Sequence, residues 1–155
     1  MKIIIIILLA MILISCNQKT DKMNKDIQLS EEKHNIQIKI LYEKFEKINT
    51  DELDQMLAKE SENLTAQEVM KLYYPKKVET GEGNELIEIS ENILDNGNTV
   101  VILIHDNLLD DSVKGEKYLM ELIKTNDKWK VVSLKKNWKC WNDRGHTDWG
   151  IELCK

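Results

Sequence analysis

Apolar positions along this chain follow three successive patterns. Ile3 to Ile14 form an unbroken apolar run behind Lys2, shorter than the ~18 to 20 residues that span a bilayer and placed where the h-region of an export leader sits. From Ser30 onward the apolar residues return at helical spacing. Ser30 stands before Glu31 and Glu32, and Ile36, Ile40, Leu41, Phe45 and Ile48 mark one face of an amphipathic helix. Thr50 precedes Asp51, Glu52, Leu53, Met56 and Leu57, which predicts a second, short helix. Thr65-Ala66-Gln67-Glu68 is a capping box that opens a third, with Val69, Met70, Leu72 and Tyr73 inward. Pro75 must stop it near Tyr74.

Beyond Gly81 and Gly83 the period becomes alternating. Leu86 to Leu94 predicts a strand, Asp95-Asn96-Gly97-Asn98 a hairpin turn, and Thr99 to His105 a β-branched strand that is apolar on both faces and therefore central. Asn107 to Gly115 reads as a polar connection, Glu116 to Lys124 as the next strand, Thr125-Asn126-Asp127 as a turn, and Lys128 to Leu134 as the last strand. The connections are too short for crossover helices, so the last three strands form an antiparallel meander. Helices followed by a meander predict an α+β domain with N-terminal helices packed on an antiparallel sheet.

The leader ends in Leu13-Ile14-Ser15-Cys16, a tetrad that resembles the lipobox of bacterial lipoproteins. That resemblance implies cleavage before Cys16, lipid on its thiol, and a protein anchored to a membrane of the bacterial cell envelope, facing the periplasm or exterior. Residues 1–15 are then a signal peptide, 16–29 the lipidated cysteine with a polar tether, and 30–155 a single domain. Removing the leader leaves 140 of 155 residues, enough for one core. The formal net charge of −5 becomes about −6 without Lys2, which disfavours nucleic acid as a partner. With Cys16 carrying lipid, Cys140 and Cys154 remain as a pair in an oxidising compartment, where a disulfide is the simplest state.

The order of helices and strands, ending in Asp127-Lys128-Trp129-Lys130-Val131-Val132, resembles the nuclear-transport-factor-two-like superfamily over about Ser30 to Leu134. The resemblance implies a curved antiparallel sheet wrapped around N-terminal helices into a cone. Its members include dehydratases, isomerases and ligand-binding modules, so it leaves function open. The tail from Trp138 to Cys154 resembles the C-terminal cassette of uncharacterised bacterial exported proteins, with paired cysteines around Arg144-Gly145-His146.

Candidate chemistry lies in two places. The tail loop gathers Trp141, Arg144, His146 and Trp149, side chains favoured as anchors at interfaces when held in restricted geometry. The plainer reading is that its tryptophans cover an open end of the sheet. Cys140, His146 and Cys154, with Asp143 or Asp148, include zinc-type ligands. Their spacing matches no finger or ribbon and the compartment favours a disulfide, so no metal is expected. His105, at the end of the central strand, is a candidate general base, although Asp106 beside it points to the other face and cannot orient it within a strand. A solvent-rim position for His105 is the plainer expectation. Gly81-Glu82-Gly83 lacks the spacing and following helix of a phosphate loop, and no cofactor is called for. The sequence thus predicts a non-catalytic binding domain for an envelope protein, peptide or small ligand. The alternatives are a small dehydratase-, isomerase- or hydrolase-like enzyme using His105 in a cone pocket, and an inhibitor or immunity lipoprotein.

Overall fold

The computed structural model describes residues 43–60, 63–76 and 84–155. The leader, Cys16, the tether, the start of the first expected helix and the Gly81–Gly83 loop lie outside them. In chain order the elements are β1 (Glu46–Lys47), α1 (Asp51–Lys59), α2 (Ala66–Tyr73), β2 (Leu86–Ile93), β3 (Thr99–Asp106), β4 (Val113–Thr125) and β5 (Lys128–Cys140). The strands form one antiparallel sheet in the order β1-β5-β4-β3-β2.

This corrects the expected fold class. Among the described residues the protein is mostly antiparallel sheet with two short helices, of nine and eight residues, and not a cone of N-terminal helices wrapped by a sheet. The balance tips because β4 and β5 each run for 13 residues, while Phe45 to Ile48 does not continue a helix. Glu46 and Lys47 instead pair with Lys136 and Lys135, and the Ile48 amide donates to the Leu134 carbonyl at 2.9 Å. Asn49 then ends the strand, because its side-chain oxygen accepts the Asp51 amide at 2.7 Å and starts α1.

The capping box of α2 is present. Thr65 Oγ1 accepts the Glu68 amide at 3.2 Å, and Glu68 Oε2 accepts the Thr65 amide at 2.7 Å. The bond from the Thr65 amide is the main reason the Glu68 carboxyl lies below the usual carboxylate range. Tyr74 caps the other end ahead of Pro75. Leu53, Ala66, Val69 and Met70 from the helices pack on Val101, Leu103, Tyr118, Met120, Leu122, Val131 and Leu134 of the sheet.

Two turns and one bulge fix the register of that core. Gly97, at φ +83°, closes the β2–β3 hairpin by donating its amide to the Leu94 carbonyl. Asn126 and Asp127 both have positive φ, as a two-residue turn between β4 and β5 requires. Glu121 pairs with Ser133 but Leu122 with Val131, so Val132 is an extra, exposed residue. That bulge lets Val131 and Leu134, three residues apart, both face the core. It also lets β5 run past its expected end at Leu134 to Cys140. β4 begins earlier than expected, at Val113, because Asp110 Oδ1 accepts the Ser112 and Val113 amides and turns the connection tightly.

Candidate functional site

His105 is fully buried, at 0 % exposure, and this corrects its expected place at a solvent rim. Pairing continues past it on both sides: Ile87 flanks it on β2, Glu116 on β4, and the β3–β4 ladder ends only at Asp106 opposite Gly115. Its ring therefore lies on the helix side of the sheet. Asp106 points to the opposite face, as the two-residue period demands, and accepts from Lys139 Nζ at 2.8 Å.

The partners of His105 come from elsewhere in the chain. Tyr74, at the C-terminal cap of α2, places its hydroxyl 2.7 Å from Nδ1, and Glu85, just before β2, places Oε1 3.3 Å from Nε2. The carboxylate at Nε2 selects the tautomer protonated there, so Nδ1 accepts from the tyrosine hydroxyl. Geometry at Nε2 falls short of a full hydrogen bond, and the contact is electrostatic. Lys76 Nζ donates to the same Glu85 oxygen at 3.1 Å.

The electrostatics follow from this packing. Burial, helped by the charge of Lys76, lowers the proton affinity of His105, while Glu85 and Glu116 oppose the shift. The hydrogen bond from Lys76 is the chief cause of a lowered Glu85 pKa. Burial, with Glu116 and Glu85 nearby, raises Tyr74 to about 12. At neutral pH the cluster is therefore a neutral tyrosine, a neutral imidazole and an ion pair.

A cleft of about 810 Å³ opens beside this cluster, between α2 and β2. Gln67 and Lys71 form the helix wall, Ile87 and Ile89 the strand wall, and Leu103 lies between them. Tyr74, Lys76 and Glu85 close one end with polar groups. His105 does not reach the lining and sits behind Tyr74 and Glu85.

The tail is organised differently. A disulfide joins Cys140 to Cys154. Trp138 and Gly150 exchange two backbone hydrogen bonds, each at 2.9 Å. Trp141 Nε1 donates to the Asp110 carbonyl at 2.8 Å, and Lys114 lies over its ring. Trp149 is covered by the ammonium groups of Lys117, at 4.3 Å, and Lys139, at 4.9 Å. The His146 ring nitrogens lie 2.7 Å and 2.8 Å from the carbonyls of Asp148 and Glu152. Trp141, His146 and Trp149 thus spend their polar or aromatic groups inside the fold, and Arg144 alone of the four is exposed.

Cys140, His146 and Cys154 bring their ligand atoms within 4.8 Å of one another. Sulfurs joined in a disulfide offer no thiolate, so the oxidised tail lacks the soft donors a zinc site needs. Gly145 is required here, since a Cβ at that position would stand 2.7 Å from Cys140 Sγ.

Sequence reasoning singled out His105 but missed Tyr74, Lys76 and Glu85. The one signal for them was local: a tyrosine set by a helix stop, and a glutamate opening a strand. No family model, no curated protein and no solved structure matches this chain.

Proposed function

We propose that this protein is a membrane-anchored envelope lipoprotein whose domain is a non-catalytic binding module, with the cleft between α2 and β2 as its ligand seat. The anchor rests on the leader and on Cys16. The binding reading rests on one observation above others: the cleft pairs an apolar strand wall with a polar end, while His105, the only buried histidine among the described residues, is shut behind Tyr74 and Glu85. Ligand sites of this kind combine apolar area for affinity with a few fixed polar groups for orientation. A general base must come within hydrogen-bond reach of substrate, directly or through one water, and the position of His105 argues against that.

One contact favours an acid–base enzyme instead, the 2.7 Å hydrogen bond between Tyr74 and His105. With its pKa raised to about 12, Tyr74 keeps its proton at neutral pH and serves to orient a ligand.

Photo-crosslinking in intact cells tests the reading. A benzophenone side chain at Lys71 or Leu86, beside the cleft, is expected to yield adducts. The same group at Arg144 or Lys130 is the comparison. Adducts from Arg144 with none from the cleft would move the site to the tail.

A further inference from the structure

We infer that the tail is a redox-gated zinc site: when a dithiol reductant opens the bridge between Cys140 and Cys154, both thiolates and the His146 imidazole bind one zinc ion. The inference is independent of the cleft. Among the described residues these three side chains bring metal-type donor atoms together, all within 4.8 Å of one another. Donors sharing one tetrahedral zinc stand roughly 3.3 to 3.8 Å apart, given bonds of about 2.0 to 2.3 Å. Shifts on the order of 1 to 2 Å therefore convert the bridged arrangement into a metal-bound one. Two thiolates with an imidazole suit zinc by softness and by number. The Glu152 carboxylate, with Oε2 4.0 Å from His146 Nε2, stands within reach of the fourth position.

The bridge is not the only tie that keeps the donors close. Cys140 donates its amide to the His146 carbonyl at 2.8 Å, and Lys155, next to Cys154, donates its amide to the Arg144 carbonyl at 2.7 Å. Trp138 Nε1 donates to the Glu152 carbonyl at 2.9 Å, which holds the chain just before Cys154 against β5. With these bonds in place, opening the bridge leaves the two thiols and the imidazole facing one another.

The setting of His146 also favours a cation. Both ring nitrogens lie against carbonyl oxygens, yet a neutral imidazole has a single N–H. One contact is a hydrogen bond, and the other sets a ring lone pair against an oxygen, which a proton or a metal ion on that nitrogen relieves. A metal-bound imidazole generally donates its remaining N–H to a carbonyl or carboxylate, and a carbonyl is in place here for either nitrogen.

The disulfide is the resting form in an oxidising compartment. Cys140 is fully buried and Cys154 half-buried, so the attacking thiolate of the reductant meets the Cys154 sulfur and Cys140 leaves with the bonding pair. The second thiolate of the reductant then displaces Cys154, and the reductant closes to a cyclic disulfide. Two electrons have passed from the dithiol to the two cysteines. Zinc binds both as thiolates, and their protons go to water. The metal then replaces the covalent staple.

The test uses the full-length protein in detergent, reduced with a dithiol, freed of it without oxygen, and titrated with Co²⁺ or Zn²⁺ alone. Reduced protein should take up one Co²⁺ per chain with thiolate-to-cobalt charge-transfer absorption, and Zn²⁺ should displace it. Oxidised protein should show neither. Zinc should raise the urea midpoint of the reduced form and leave that of the oxidised form unchanged. His146→Ala should weaken binding at least about tenfold, since losing even a partner behind a metal ligand costs about 10- to 100-fold. Cys16→Ser should leave the stoichiometry unchanged, so that the tail thiols suffice. Absence of cobalt–thiolate absorption in the reduced protein, folded or not, overturns the site. Equal affinity in His146→Ala overturns it too, by leaving a pair of thiols alone. One metal per two chains would make the binding a contact between copies and overturns the site as well. Cleft photo-adducts do not depend on any of these results, so failure here leaves the cleft reading standing.

Discussion

The disulfide-tied tail and the cleft beside β2 hold their polar groups in opposite ways. In the tail, the indoles of Trp138 and Trp141 and the imidazole of His146 are engaged by backbone carbonyls of the fold itself. At the cleft, Tyr74 and Glu85 meet His105 on their inner side, Lys76 of the lining bonds Glu85, and their outer sides form part of the lining. Conspicuous residue types collect where the fold needs closing. The cleft is lined by ordinary ones, two of which, Tyr74 and Glu85, lie against a buried imidazole.

Replacing both Cys140 and Cys154 with serine should have the largest effect on the tail, about 3 kcal/mol for a loop of this length, read by urea unfolding. Cross-linking from Leu86 should survive in conditions where the variant remains folded. Loss of both together would erase the distinction between the two regions.

His105→Leu tests the other side. It leaves the Tyr74 hydroxyl and the Glu85 carboxylate without their buried partner and should cost about 2 kcal/mol. It should also change the pH dependence of stability. The folded-state pKa of His105 is lowered, so the unfolded chain takes up its proton first as pH falls below the ordinary value of about 6.5. Stability therefore drops through that window in the wild type, with a slope that approaches at most about 1.4 kcal/mol per pH unit. Unfolding measured from pH 7 down to pH 5 should show a shallower fall in His105→Leu, and an unchanged slope would mean that His105 does not set it.

Smaller effects sharpen the comparison further. Thr65→Ala removes the cap that starts the helix wall of the cleft and should cost about 1 kcal/mol, seen in the same unfolding assay. Arg144→Ala should change stability by no more than about 0.5 kcal/mol and leave cleft cross-linking intact. A large loss of adducts in Arg144→Ala would return the binding role to the tail.

What could be read from the chain follows the range of each interaction. Thr65 with Glu68, Asn96-Gly97, and the alternation from Thr99 to Asp106 are local signals, and each marks its element. β5 was harder to read because Val132 breaks the alternation, so Val131 and Leu134 look out of phase until the bulge is known. Phe45 and Ile48 have helical spacing, yet the pairing of Glu46 and Lys47 with β5, some ninety residues on, decides their structure. The same holds for the site. His105 meets Tyr74 across 31 residues of sequence, a distance no local pattern encodes, and its burial comes from strands on both sides.

Among the described residues β2 ends the sheet on one side, and the other side is built differently. At β5 the backbone is taken up by β1 and Gly150 toward one end, and the Val132 bulge disturbs it toward the other. Growth of a sheet from molecule to molecule needs two open edges, one to receive and one to offer. With the β5 side of the described sheet obstructed, one of those two edges is missing, which works against this domain seeding a fibre.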